Sequence, residues 1–401
     1  MNGIVIIGAG ECGTRAAFAL REAGYSGPVT LVGAEPHLPY ERPPLSKPMG
    51  ETAQMKLICT LDSLAAAGID YAKGVSALKL DADAGTVALS DGSVLPYEKL
   101  LLATGARPRR LACPGAERVL DFRTHTDAEA IFANVGSGAS VAIIGGGLIG
   151  MELAAVFRGK GIAVSVIEAA PKPLGRAVPS RFAEKLHARH AAEGVEFYLE
   201  RGIAEITGDG VVLAGGDVVQ GDLVIGAIGV IPETALALDA GLATGNGILA
   251  DACLRTSRPN IFAAGDCAAI VQPGGGHIRF ESWRNARAQA EIAARNMTGA
   301  QDAFAAIPWF WSDQYDLGLQ VAGLPQPAHR SVVRALPEGE LEFYLDGSRL
   351  VAAAALGRGN SLAKEIKLAE MLIAAGVEPD PAALADPGVN LKALLKSARA
   401  A

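Results

Sequence analysis

The chain has 401 residues, 50% of them hydrophobic, enough for two or three domains with real cores, and its net charge of -7 with scattered arginines excludes a nucleic-acid footprint. No apolar run reaches membrane-spanning length: the longest, residues 141–157, is broken by Gly145-Gly146-Gly147 and Glu152. The cysteines (Cys12, Cys59, Cys113, Cys253, Cys267) include no C-x-x-C or C-x-x-x-x-C pair, which argues against a disulfide framework, a zinc site or a redox-active dithiol.

Met1-Asn2-Gly3 leads straight into an apolar strand without a signal-peptide pattern, so the cytoplasm is the expected compartment. Residues 4–7 (IVII) read as that strand, followed by Gly8-Ala9-Gly10-Glu11-Cys12-Gly13, a helix from about Thr14 to Ala23, and a second strand, VTLVG, leading to Glu35. Thr52 to Gly68 reads as a helix, and Lys73 to Pro96 as hairpins turning at Asp83-Ala84-Gly85 and Asp91-Gly92. Lys99 to Leu102 is a buried strand entering Ala103-Thr104-Gly105-Ala106. Residues 141–144 (VAII) repeat the opening pattern: Gly145-Gly146-Gly147-Leu148-Ile149-Gly150, a helix from about Met151 to Lys160, and AVSVI leading to Glu168. Further apolar strands run from Asp222 to Ile228, entering Gly229-Val230-Ile231-Pro232, and from Asn260 to Ala264, entering Gly265-Asp266. Glu281 to Asn296 reads as a helix. After Gln301 tryptophans appear, with strands around Val332 and Leu350 and a helix from about Leu362 to Ala375.

Each copy of the repeat is strand, glycine turn, helix, strand, acid. The first glycine permits a tight turn, the second lets backbone approach a pyrophosphate, and the third lets helix and strand pack closely. The helix N-terminus offers unpaired N–H groups to the phosphates, and the acid can accept hydrogen bonds from a ribose. One such motif is weak and can be a packing turn; two in the right context specify two dinucleotide sites.

Five strings narrow the reading: Tyr40-Glu41-Arg42-Pro43-Pro44-Leu45-Ser46-Lys47, Ala103-Thr104-Gly105, the second glycine loop running into Glu152, Ile261-Phe262-Ala263-Ala264-Gly265-Asp266, and Pro308-Trp309-Phe310-Trp311-Ser312-Asp313-Gln314-Tyr315. With these the chain resembles the FAD-dependent NADH–ferredoxin reductases of bacterial oxygenase systems, the putidaredoxin and rubredoxin reductase group, over essentially its whole length. Apoptosis-inducing factor is a more distant relative.

The resemblance implies an α/β fold of glutathione-reductase-like architecture, with two Rossmann-like domains and a C-terminal α+β domain. Residues 1–106 and 228–304 would bind FAD, 107–227 NAD, and 305–401 would form the third domain. It assigns Gly8, Gly10, Cys12, Gly13, Glu35, Arg42, Lys47, Ala103, Thr104, Gly105, Asp266, Trp283, Trp309 and Trp311 to FAD. It assigns Gly145, Gly147, Leu148, Ile149, Gly150, Glu152, Glu168, Arg176, Gly229 and Glu281 to NAD.

The resemblance also implies that Lys47 lies near flavin N5 and pairs with Glu152 at the nicotinamide carboxamide, a buried carboxylate needing a cationic partner. The plainer alternatives are a solvated loop lysine and a first-turn helix acid. Asp266 is read as accepting from a ribityl hydroxyl, or as a helix N-cap. The tryptophan segment is expected against the isoalloxazine, with the backbone near Gln314 at its edge; a core role is the alternative. Cys12 is read as a small residue on the glycine loop without chemistry, and Arg176 as a dinucleotide contact or a solvated arginine. Glu168 should hydrogen-bond a ribose 2′-hydroxyl and repel a 2′-phosphate, favouring NADH over NADPH.

The cysteine pair that reacts with flavin in related disulfide reductases is missing from the Pro43–Lys47 stretch. Electrons then leave to another redox protein, oxygen or a quinone. The leading expectation is a small iron–sulfur carrier, with a docking rim drawn from Arg42, Arg284, Arg287, Arg330 and Arg334, on a monomer or weak dimer. NADH oxidase or diaphorase activity, and a redox-responsive role like that of apoptosis-inducing factor, are the alternatives.

Overall fold

A computed structural model describes residues 2–48, 50, 52–136, 138–272 and 274–400. The chain packs as two units, one of Met1–Leu45, Gln54–Arg107 and Val230–Ala306, the other of Ser46–Ala53, Pro108–Gly229 and Ile307–Ala401.

In the first unit the Gly3–Ile7 strand lies between Val29–Gly33 and the end of Val94–Leu102, parallel to both. Ile69–Lys73 extends the sheet beyond Val29–Gly33, and Ile261–Ala263 pairs with the far side of Val94–Leu102. Ile4, Ile6, Leu100, Leu101 and Leu102 are all fully buried. Such continuous apolar runs, rather than alternation, are what parallel strands covered on both faces require. Helix Glu11–Glu22 packs on helix Trp283–Met297 through small side chains, Ala16 and Ala17 among them on one and Ala290, Ala293 and Ala294 on the other.

Element edges shift where a local hydrogen bond decides them. The first helix begins at Glu11, because the Gly10 carbonyl already accepts from Thr14 N–H at 3.0 Å. The expected helix over 52–68 shrinks to Leu61–Ala66, started by a Thr60–Ser63 capping box; before it, Lys56–Leu57 pairs as a strand with Tyr40–Glu41. The helix expected from Glu281 starts at Trp283, capped by the Ser282 hydroxyl.

In the second unit Ser140–Ile144 lies between Ala163–Glu168 and Leu223–Gly226, again parallel to both. Glu196–Leu199 and Leu120–Asp121 flank them. The same unit holds an antiparallel sheet in the order Trp309–Gln314, Leu317–Gly323, Arg349–Arg358, Gly339–Asp346, Arg330–Leu336. Along Gly339–Asp346, Leu341, Phe343 and Leu345 face a core completed by Ile366, Leu372 and Ile373 of helix Ala363–Ala374. Glu340, Glu342 and Tyr344 alternate onto the other face, where Glu340 accepts from Arg181 at 2.8 Å and Lys185 at 2.6 Å, both on helix Ser180–Ala192.

Arg334 does not belong to a docking rim. It is 4% exposed, and its guanidinium donates to the carbonyls of Leu384, Pro387 and Val389, tying the C-terminal segment to its strand. The alternation that sends Val332 and Arg334 to the same face buries this arginine with the core.

Candidate functional site

The two glycine turns are geometric copies. Gly8 N–H donates to Val32 O at 2.8 Å and Ala103 N–H to Ile7 O at 2.8 Å; Gly145 N–H donates to Ile167 O at 2.8 Å and Ala227 N–H to Ile144 O at 2.7 Å. Gly8 and Gly145 have φ of 109° and 106°, a region L side chains avoid. A Cβ on Gly13 would lie 1.8 Å from Gly8 O, and one on Gly150 2.1 Å from Gly145 O, so the third glycine is demanded by close packing. The middle glycines differ. A Cβ on Gly10 would meet nothing within 4 Å, and on Gly147 only Ala227 O at 3.9 Å.

Gly10 and Gly147 are also the N-caps of their helices, and neither helix has a side-chain cap. Bare backbone beside uncapped helix N–H groups fits an anionic pyrophosphate at each turn. Ala227 is the counterpart of Ala103, a correspondence the sequence carries in LLATG against IGAIG. Gly229 (φ 92°) accepts from Arg109 N–H at 2.9 Å in the second copy, and Thr104 Oγ1 donates to Glu233 O at 2.7 Å in the first.

The strand-end acids are already engaged. Glu35 is held by Arg42 at 2.6 Å and by the Tyr40 hydroxyl, a partner that sequence reading missed. Glu168 accepts from Gly146 N–H at 2.7 Å and Ala170 N–H at 2.8 Å. One lone pair per oxygen thus fixes each carboxylate while others stay available. The loop carrying Arg176 folds onto the second turn through Leu174 N–H to Gly146 O at 2.7 Å, and Arg176 itself is exposed.

Near the first turn, Cys12 is buried against Gly265, and burial pushes its thiol well above the ordinary range, consistent with a packing role. Asp266 sits inside a 3-10 turn, Gly265–Cys267, whose N-cap is Ala264, so the N-cap reading of Asp266 fails. Its carbonyl accepts from Arg279, which also pairs with the exposed Glu281 at 2.7 Å. Trp283 opens its helix with the Arg287 guanidinium 5.7 Å from the ring centre.

In the second unit Glu152 lies on helix Leu148–Gly159, past its first turn, so it is not a dipole-satisfying end residue. It is 7% exposed and accepts from Ser46 Oγ at 2.5 Å and Ser312 Oγ at 2.7 Å. Burial pushes its carboxyl up, opposed by the two hydroxyls and by nearby Lys47, while Asp313 adds to the rise.

The expected Lys47–Glu152 pair is not formed. Lys47 pairs with Asp313, and its ammonium lies 5.5 Å from the Trp311 ring centre. The reason is strand alternation in Trp309–Gln314: Ser312 faces Glu152, and its neighbours Trp311 and Asp313 face the other way to meet Lys47. Trp309 and Trp311 share that second face, stacked 5.4 Å apart. Ser46, Ser312 and Asp313 stood inside the motif strings, and a two-residue period applied to WFWSDQ would have separated the two sets.

Comparison with known proteins adds an independent finding. Residues 2–290 match the family described as pyridine nucleotide-disulphide oxidoreductase, and residues 309–395 the one described as reductase C-terminal. The chain is 42% identical over 405 residues to the anthranilate 1,2-dioxygenase system ferredoxin–NAD(+) reductase component of Burkholderia cepacia, covering 98% of each. Its structure is similar to the ferredoxin reductase for the CYP199A2 system from Rhodopseudomonas palustris, with TM-score 0.93 and 33% identity over 99% of this chain and 100% of that one. It is also similar to a chain of the covalent putidaredoxin reductase–putidaredoxin complex, with TM-score 0.92 and 32% identity over 100% and 99%.

Proposed function

We infer the function from one premise: the chain belongs to the pyridine nucleotide-disulphide oxidoreductase family. It is an NADH-dependent, FAD-containing reductase that passes electrons to a ferredoxin or rubredoxin, which feeds a monooxygenase or dioxygenase. One observation carries the choice of acceptor within the family. The Pro43–Lys47 stretch holds no cysteine, and Cys12, Cys59 and Cys267 are buried with thiols pushed above the ordinary range by that burial, which suppresses the thiolate that a dithiol route needs.

FAD, when bound, takes up a hydride's electron pair and releases it as single electrons. The residues' tasks follow from their chemistry. The Gly8–Gly13 turn and its open helix end hold the FAD pyrophosphate, with Cys12, Ala103, Thr104 and Gly105 forming the backbone wall. Glu35, braced by Arg42, accepts from the adenosine ribose, and Asp266 from the ribityl chain. The Gly145–Gly150 turn, with Leu148 and Ile149, holds the NADH pyrophosphate; Glu168 takes its ribose, and Gly229, Arg176 and Glu281 border it. Glu152 orients the nicotinamide carboxamide. Lys47 offers positive charge toward the reduced ring, and Trp283, Trp309 and Trp311 exclude water from it. We assign 1–106 with 228–304 to FAD, 107–227 to NAD and 305–401 to the third domain, expecting limited proteolysis to cut near those joints. The enzyme is taken to be cytoplasmic and a monomer or weak dimer, which sedimentation checks.

Anaerobic titration with NADH, followed by oxidised [2Fe–2S] ferredoxin, tests the function. Flavin bleaching and then catalytic ferredoxin reduction are expected. Bleaching with no onward transfer to any of several ferredoxins or to rubredoxin would overturn the acceptor.

A further inference from the structure

The hydrogen bonds around Glu152 continue inward. Gln314 Nε2 donates to Ser312 Oγ at 3.1 Å, His190 Nε2 lies 2.9 Å from Gln314 Oε1, and the Tyr315 hydroxyl lies 3.1 Å from His190 Nδ1. Ser312, Gln314 and His190 are at most 1% exposed. Tyr315 adopts a left-handed backbone (φ 56°), which a non-glycine residue keeps only where its surroundings hold it there.

Burial lowers the His190 pKa to about 4, so at neutral pH the ring carries a single N–H. Gln314 Oε1 can only accept, which puts that proton on Nε2 and leaves Nδ1 to accept from Tyr315. Every donor then points one way: Tyr315 to His190, His190 to Gln314, Gln314 to Ser312, Ser312 to Glu152 Oε1. Ser46 donates to Oε2 from the other side. The reversed network, with Ser312 giving its hydrogen to a flipped Gln314 amide, requires the Nδ1–H tautomer of His190 and a protonated Glu152 that donates to Ser312.

We propose that Tyr315, His190, Gln314 and Ser312 are positioning residues, a one-directional donor chain that holds Glu152 as an ionised acceptor in a single orientation. The chain deepens the task assigned above to Glu152 and depends on that task only for its catalytic meaning. Other charges act on its ends: Lys47 and Asp313 with opposite sign at Glu152, and His187 and Arg189 at His190.

The test uses the FAD-loaded enzyme. Nitrogen-15 NMR should show His190, assigned by its loss in His190→Asn, as the Nε2–H tautomer at pH 7; the Nδ1–H tautomer overturns the chain. Isotope-edited infrared titration should follow the Glu152 carboxyl band, assigned by Glu152→Gln. Its midpoint should rise by about one pH unit, a tenfold gain in proton affinity, in Ser312→Ala and by a smaller amount in Gln314→Met, and Ser312→Thr should restore it. Midpoints unmoved in both variants overturn the proposal. If they move but Glu152→Gln reduces ferredoxin at the wild-type rate, the chain stands and the nicotinamide task of Glu152 falls.

Discussion

Glu168 meets Gly146 and Ala170 through backbone N–H bonds, which pin its carboxylate beside the second glycine turn. A 2′-phosphate brought there meets like charge in a partly buried setting. NADH should therefore be preferred to NADPH in kcat/KM, and Glu168→Gln should erode that preference by roughly tenfold or more; equal constants in the wild type would refute the assignment. His190 gives a second prediction, in stability. Its folded pKa of about 4 lies below the ordinary 6.5, so the neutral ring contributes stability above pH 6.5 that is lost as pH falls toward 4. The loss is on the order of 3 kcal/mol. Chemical denaturation across that window should show a steeper decline for the wild type than for His190→Gln, and matching slopes would count against it.

Among the elements, the glycine turns separate packing from binding. Gly13→Ala forces Cβ into the Gly8 carbonyl and should cost about 1–3 kcal/mol of stability even in the apoprotein. Gly10→Ala adds its methyl in open space, so apoprotein stability should hold while FAD retention falls. Thermal melts with and without added FAD distinguish the two. These turns were legible in the sequence, because strand, glycine spacing and acid are local features. The sheet strands were legible for the same reason, while helix starts were displaced to caps such as Thr60 and Ser282. The Lys47–Asp313 and Glu152–Ser312 pairings were not legible, since they depend on which face of a distant strand each side chain meets. Arg334 was misjudged for a related reason: its charge suggested surface, while its strand register fixed it in the core.

Across the whole molecule, the net charge of -7 means that docking of an iron–sulfur carrier, where that carrier is acidic, depends on local arginines. With Arg334 removed from the set, Arg42, Arg284, Arg287 and Arg330 remain. Ferredoxin reduction should slow steeply as salt rises, and Arg330→Gln should flatten that dependence. Arg334→Leu should leave the slope unchanged yet lower stability by roughly 2 kcal/mol or more, by abandoning carbonyls at Leu384, Pro387 and Val389. A salt-insensitive rate would remove the rim altogether.

The Trp309–Gln314 strand works as a partition between opposite charges. With Ser312 on one side and Asp313 on the other, the ammonium of Lys47 and the carboxylate of Glu152 each have a nearer companion, so neither annuls the other by contact. Parity along six residues therefore decides which carboxylate Lys47 meets by contact, Asp313 or Glu152. Deleting one residue ahead of Ser312 would bring Asp313 to the place facing Glu152 and the Gln314 amide to the place that pairs with Lys47. Few chemical changes would be as large for so small an edit.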